Sequence, residues 1–141
     1  MPDKHEIAEW FKGLQDRICA ALEAEDGQAT FHQDVWEHHS GGGGRTRIIQ
    51  NGAVIEKGGV NFSGVEGTLS EQAQKALGIS GAGFFATGVS IVIHPNSPMV
   101  PIIHMNVRYF ELDSGRYWFG GGIDLTPIYI VPEDARFSTS K

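Results

Sequence analysis

The sequence has one cysteine, Cys19, in 141 residues. A single thiol can neither form an intrachain disulfide nor supply a cysteine-rich zinc site. Long hydrophobic runs are also absent, and the apolar stretches present are far too short to cross a bilayer. Basic residues are in the minority, with 11 Lys and Arg against 17 Asp and Glu and a net charge of -6. The composition therefore argues against a disulfide scaffold, a membrane span and a nucleic-acid-binding protein.

The first residues carry charges at short intervals and include no apolar core of the kind found in secretory signals. We therefore expect no signal peptide and a cytoplasmic location. Hydrophobic residues make up 40% of the sequence and charged residues 20%, which is typical of a globular domain. The acidic balance still allows an anionic substrate, because one or two well-placed arginines are enough to bind it.

The first segment is predicted to be a helix. Asp3 and Glu6 have the spacing of a capping box, and Gly27 is a typical helix stop. Cys19 lies near the apolar stripe and is interpreted as a small core residue. The apolar residues at helical spacing, which we expect to face the core, are Ile7, Trp10, Phe11, Leu14, Ile18, Ala21 and Leu22.

Glycine-rich and turn-forming stretches divide the region that follows. A short strand is predicted over Phe31–Glu37. The run Ser40–Gly44 is predicted to lie outside any regular element, because glycine weakens strands and helices. Asn51-Gly52 stands between two strand-like runs, Arg45–Gln50 and Ala53–Phe62. Asn-Gly in this position is a strong short-range indication of a hairpin.

Strands dominate the rest of the chain. Ser70 is predicted to cap a short helix, which Gly78 ends. Because the later strands follow one another through tight turns, we expect an antiparallel β-meander sheet flanked by helices, an α+β fold. Residues 1–141 show no repeat and no linker and are interpreted as part of one domain. The predicted elements are a helix over Glu71–Leu77 and strands over Phe84–His94, Pro101–Leu112, Arg116–Ile123 and Ile128–Val131.

The segment 103–109 is the most informative for function. Side chains alternate between the two faces of a strand. His104, Asn106 and Arg108 therefore share one face and present an imidazole, an amide and a guanidinium in a row. The residues between them are apolar or aromatic, and we expect that opposite face to pack against a helix.

Two predicted hairpins bring further groups to the polar face. A three-residue turn before the last long strand would place Asp124 opposite His104 and Gly120 opposite Arg108, and opposed residues point the same way. A similar pairing in the preceding hairpin would place Ser90 beside His104. A bulge in either hairpin would change these pairings, and the triple glycine at 120–122 is where we expect one.

Other interpretations of the polar residues remain open. A polar row on an antiparallel strand is commonly just the solvated face, although the triple glycine favours a surface that a large group approaches closely. His94 and His104 could ligate a metal, but the sequence has no His-x-His or His-Glu-x-x-His motif. The glycine run at 40–44 could cradle an anion, but it lacks the Gly-Lys-Ser/Thr ending of a nucleotide-binding loop.

A series of longer blocks narrows these alternatives. They are Trp10–Cys19, Ser40–Arg45, Glu56–Ser63, Ala86–Pro95, Pro101–Phe110 and Trp118–Pro127. Together and in this order they resemble the oxygen-dependent coproporphyrinogen III oxidase family. The resemblance covers nearly the whole chain and is far more specific than any single motif.

The resemblance implies oxidative decarboxylation of two propionates of coproporphyrinogen III to vinyls, which gives protoporphyrinogen IX. Molecular oxygen is the co-substrate, no organic cofactor is expected, and the family's proteins are homodimers with a sheet between helices. His104 would be the proton donor and Asp124 the catalytic aspartate. The site residues implied are Ser90, Asn106, Val107 and Arg108 for substrate, His104, Asp124 and Arg108 for catalysis, and His94 and His104 for a divalent metal.

Two features depart from the family pattern. Many members carry histidine at the position of Glu66, which predicts an altered contact at the rim of the site. The chain also matches only the amino-terminal half of the family's proteins, so we expect a truncated form that lacks further histidines, a substrate segment and much of the dimer contact. Three hypotheses remain: an enzyme or half of one, a non-catalytic fragment or degenerate paralogue that binds a tetrapyrrole, and a small metal-binding sheet protein.

Overall fold

A computed structural model describes residues 3–38, 41–78 and 83–126. Its strands form a six-stranded antiparallel sheet in which each strand pairs with its neighbours in the sequence. This confirms the predicted α+β meander, while the predicted strand Ile128–Val131 lies outside the described residues. The elements are α1 (Lys4–Asp26), β1 (His32–Glu37), β2 (Gly42–Gln50), β3 (Ile55–Thr68), α2 (Glu71–Leu77), β4 (Gly83–Pro95), β5 (Ile102–Leu112) and β6 (Tyr117–Thr126).

Helix α1 has the predicted length but not the predicted cap. It ends at Gly27, whose φ of 76° is left-handed and suits glycine. The side chain of Asp3 makes no capping hydrogen bond, so the predicted capping box is wrong. Phe11 and Cys19 are buried as expected, whereas Trp10 is 57% exposed and lines a cavity together with Val107 of β5 and Phe119 of β6.

The glycine run was wrongly predicted to lie outside regular structure, since Gly42–Gly44 begin β2. Their lack of side chains allows neighbouring strands to lie close. A Cβ on Gly43 would overlap the carbonyl oxygen of Trp36, and one on Gly44 would come within 2.5 Å of the Trp36 ring. Glycine is therefore required here by packing, which offsets its poor strand propensity.

The hairpin turn and the helix cap that were predicted from short motifs are both confirmed. Asn51 has a φ of 56° in the hairpin between β2 and β3. The hydroxyl of Ser70 accepts a hydrogen bond of 3.2 Å from the backbone N–H of Ala73 at the start of α2. Gly78 ends that helix in a left-handed conformation. Neither of the described helices is long and apolar enough to span a lipid bilayer.

The two faces of the sheet differ in what covers them. Helix α1 packs on β3 and β4, and we call this the helix face. The hydrophobic core lies between α1 and this face and includes Val60, Val89 and Ile91. The opposite side, which carries the even-numbered residues of β4, β5 and β6, is called the open face. Within the described residues α1 is the one helix that packs extensively on the sheet, so no described helix covers the open face.

A buried carboxylate joins α1 to the β2–β3 hairpin. Asp26 accepts hydrogen bonds from the backbone N–H groups of Ala29, Ala53, Val54 and Ile55 at 2.8–3.0 Å. These hydrogen bonds hold the pKa of Asp26 well below its ordinary value. The hairpin can approach because it carries Gly52, where a Cβ would overlap the Asp26 carboxylate.

Candidate functional site

The pairing of β5 with β6 places the central polar groups as predicted. His104 lies opposite Asp124, and Arg108 lies opposite Gly120. Directly opposed residues point to the same side of a sheet. The imidazole, the carboxylate and the guanidinium therefore share the open face. Their chemical roles remain predictions.

The pairing of β4 with β5 differs from the prediction by two residues. Ser90 lies opposite Asn106, and Val92 takes the predicted place beside His104. Because the shift is even, Ser90 stays on the open face. The loop that joins these strands is longer than a tight turn, so its sequence did not fix the register.

The predicted bulge at the triple glycine is also absent from the described pairing of β5 with β6. A register irregularity lies instead between Ile55 and Lys57 in β3. A Cβ on Gly120 or Gly122 would meet no atom within 4 Å. These two glycines belong to the open face, and the packing of the described residues does not require glycine there.

Arg108 has no side chain directly beside it on either adjacent strand. It is flanked across the two adjacent strands by Gly88 and Gly120. A Cβ on Gly88 would come within 3.0 Å of the Arg108 side chain. Arg108 is exposed and forms no ion pair with a carboxylate in the described ranges. Its guanidinium is therefore available to bind an anion.

A cavity of about 290 Å³ lies over this part of the open face. Ser90, Asn106 and Arg108 line it, together with Asn61 and Ser63 of β3. A second cavity of about 290 Å³ lies towards the other end of the same face.

Of the remaining predicted residues, Val107 lies between Asn106 and Arg108 but points to the helix face, where it packs against the core. Its side chain is therefore not on the open face, which carries the other predicted substrate residues. His104 is exposed and Asp124 is half-buried, and neither lines the two open-face cavities.

The histidines do not by themselves form a metal site. His94 lines the second cavity on the open face, and it is two residues along β4 from the position opposite His104. No group of three or more metal-ligating side chains occurs in the residues that the structure describes. Zinc sites use three or four protein ligands, so the described donors do not fit one.

The reverse side of β5 is firmly anchored. Tyr109 is buried on the helix face, and its hydroxyl donates a 2.6 Å hydrogen bond to a carboxylate oxygen of Glu111. Burial and the carboxylate raise the pKa of Tyr109 to about 12. The ring of Phe119 packs 4.9 Å from it, centroid to centroid. The packing of Tyr109 holds the backbone of β5 in place at the adjacent residue, Arg108.

Sequence reasoning missed an aromatic group at one end of the open face. Phe84 stacks on Phe110 with 5.5 Å between ring centroids, and Trp118 packs 4.8 Å from Phe110. Phe110 and Trp118 stand in the row next to the one that contains Arg108, and Phe84 lies one row further along. The alternation of side chains along each strand would have identified them, because all three positions have the parity of Arg108.

Glu66 lies on the helix face, opposite the buried Phe85. Its carboxylate is 3.9 Å from the ammonium group of Lys4 in α1. Glu66 is therefore on the opposite side of the sheet from His104, Arg108 and Asp124, and its expected effect on the rim of the site stays a prediction.

Comparison with protein families agrees with the resemblance of the sequence. The family model for coproporphyrinogen III oxidase matches residues 6–139. The match begins in α1 and includes every described strand, and therefore all of the open face.

Proposed function

Because the chain belongs to the coproporphyrinogen III oxidase family, we propose that its open face binds coproporphyrinogen III for oxygen-dependent conversion to protoporphyrinogen IX. The observation that carries the proposal is the register that places His104 opposite Asp124, with Arg108 on the same face. An acid, a base and an anion-binding group on one rigid sheet suit the chemistry of a substrate with pyrrole N–H groups and propionates.

Arg108 would position the reacting side chain. A guanidinium can donate two parallel hydrogen bonds to one carboxylate, which fixes both the distance and the orientation of the propionate. The glycines on both sides of Arg108 leave a wide ligand room to lie close to the backbone. The exposed aromatic residue Trp118 supplies an apolar contact at the edge of the ring.

Asp124 and His104 would handle the protons. The Asp124 carboxylate can accept a pyrrole N–H and thereby favour the electron-rich pyrrole that reacts with oxygen. Each propionate then loses carbon dioxide and two electrons, while oxygen takes up the two electrons and two protons to give hydrogen peroxide. One proton comes from the carbon that becomes part of the vinyl group, and His104 can supply the other.

The proposal includes no organic cofactor and uses oxygen as co-substrate. A divalent metal would need ligands besides His94 and His104, and no step is assigned to it. A homodimer and a cytoplasmic location are part of the same proposal. Sedimentation of the purified chain would test the dimer.

A second candidate function is binding of a tetrapyrrole without catalysis. It is favoured by the exposure of His104 and Arg108. A peroxide-forming reaction requires a site that excludes bulk water, and no described helix packs extensively on the open face. The same surface would then hold the ligand without enclosing it.

Titration with coproporphyrin III, followed by porphyrin fluorescence, tests the binding surface. We expect Arg108→Ala to weaken binding by about tenfold or more, because one hydrogen-bonded charge pair is lost. Arg17→Ala removes the same charge from α1, where Arg17 lies over the Trp10 ring, and should leave binding unchanged. Equal effects of the two substitutions would contradict the proposal. Oxygen uptake with coproporphyrinogen III distinguishes an oxidase from a binding protein.

A further inference from the structure

The strongest unassigned feature is a row of polar side chains that crosses the middle of the open face. Asn61 in β3 lies opposite Ser90, and Ser90 lies opposite Asn106. Neighbouring strands are about 4.8 Å apart, so the row extends roughly 10 Å from Asn61 to Asn106. Ser90 and Asn106 are already expected substrate contacts, and Asn61 continues their line onto a strand to which no function has been assigned.

Asn61 also connects the two cavities on this face. It lines the cavity that contains Arg108 and the cavity that contains His94. The side chain is exposed and makes no side-chain hydrogen bond within the described ranges. A ligand that occupied either cavity would therefore contact Asn61, and a ligand wide enough to occupy both would pass over it.

The residue type is unusual for its position. Asn is depleted in strands, and an interior strand ordinarily carries β-branched or aromatic residues at its centre. Asn61 is in the middle of β3, which is paired on both sides. Since the side chain contributes no described hydrogen bond to the fold, ligand binding is the better explanation for an amide here.

We propose that Asn61 is a substrate-positioning residue, which donates its side-chain N–H to a carboxylate of the tetrapyrrole other than the one that Arg108 binds. The assignment rests on the proposed function of the open face. A guanidinium holds one carboxylate bidentately, so a ligand with four propionates needs further contacts to fix its orientation. Asn61 supplies such a contact on the far side of Ser90 without adding a fixed charge.

The test compares three variants of the whole chain in titrations with coproporphyrin III. Asn61→Asp keeps the shape of the side chain but replaces the N–H donor with a negative charge, and we expect about tenfold weaker binding. Asn61→Val removes the amide and improves strand propensity, so binding should weaken while the melting temperature is kept or rises. Gln50→Glu makes the same charge change on β2, outside both cavities, and should bind like the wild type.

The outcomes separate the two proposals. If the wild type binds coproporphyrin III and Asn61→Asp binds equally well, the assignment of Asn61 is wrong and the open face remains the binding surface. If Asn61→Asp and Gln50→Glu weaken binding to the same extent, the effect is due to net charge and the assignment is also wrong. If the wild type does not bind, the proposed function fails, and the role of Asn61 fails with it.

Discussion

The glycines of β6 provide a test of whether a ligand lies against the open face. We predict that Gly122→Ala leaves the fold intact or stabilises it, and that it weakens binding of coproporphyrin III. A Cβ at this position would meet no atom within 4 Å, so the methyl group would project into the space proposed for the ligand. Gly122 is also next to the proposed catalytic base, since Asp124 is the following open-face residue on β6.

The expected magnitudes follow from this geometry. Alanine is favoured over glycine in a strand by about 0.5–1 kcal/mol, which would raise the melting temperature by roughly 1–4 °C. A methyl group forced against a closely fitted ligand costs about 1–3 kcal/mol, so binding should weaken by about 5- to 150-fold. Thermal unfolding and fluorescence titration of the same preparation would measure both effects.

The neighbouring glycine is the matched control. A Cβ on Gly121 points to the helix face, where it would overlap the carbonyl oxygen of Asn106 and lie 3.2 Å from the Cα of Val107. Gly121→Ala should therefore lower stability by about 1–3 kcal/mol. If Gly122→Ala binds coproporphyrin III as tightly as the wild type, no ligand lies close to β6 at this point, and the argument from the glycines is refuted.

Three further predictions follow. In a full-length family protein that carries this sequence, Asp124→Ala should lower turnover by about 10²- to 10⁴-fold with the fold intact; near-normal turnover would mean that another group activates the pyrrole. The 141-residue chain alone should not turn over coproporphyrinogen III, because no described helix covers its open face to exclude water, and oxygen uptake at a full-length rate would contradict this. Asp26 should contribute its full stabilisation of the fold at pH values above 3.8, the ordinary pKa of its carboxyl group. This contribution should be lost as the pH falls through the lowered pKa that Asp26 has in the folded protein. Asp26→Asn should thus be less stable at pH 7 and less sensitive to acid than the wild type in urea unfolding, and parallel pH profiles would contradict the assigned role.

The parts of the fold that could be predicted from sequence are those that depend on local chemistry. The hairpin turn at Asn51 needs a residue that tolerates a positive φ, and the helix cap at Ser70 needs a side chain that accepts a backbone hydrogen bond. The three-residue turn before β6 leaves little choice of register, so the pairing of His104 with Asp124 could be worked out. The pairing of Ser90 could not, because the longer loop between β4 and β5 permits more than one register.

The errors have a common physical origin in contacts between distant residues. The glycines at 42–44 looked unsuited to a strand because the contacts that leave no room for a side chain, with Gly64 at Gly42 and with Trp36 at Gly43 and Gly44, depend on the folded sheet. The exposure of Trp10 depends on the packing of α1 against β5 and β6, which leaves a cavity beside its ring. Asn61 was overlooked because its significance comes from the register of three strands and not from any local motif.

The strict order of the strands has a consequence for how the molecule folds. Because each strand pairs with the strand before it in the chain, the proposed site from Ser90 to Asp124 is formed by two successive hairpins without a distant crossover. Proteins whose contacts are close in sequence pay less loop-closure entropy and generally fold faster than those built from distant pairings. The polar face can therefore acquire its register early in folding, as soon as β4, β5 and β6 have left the ribosome.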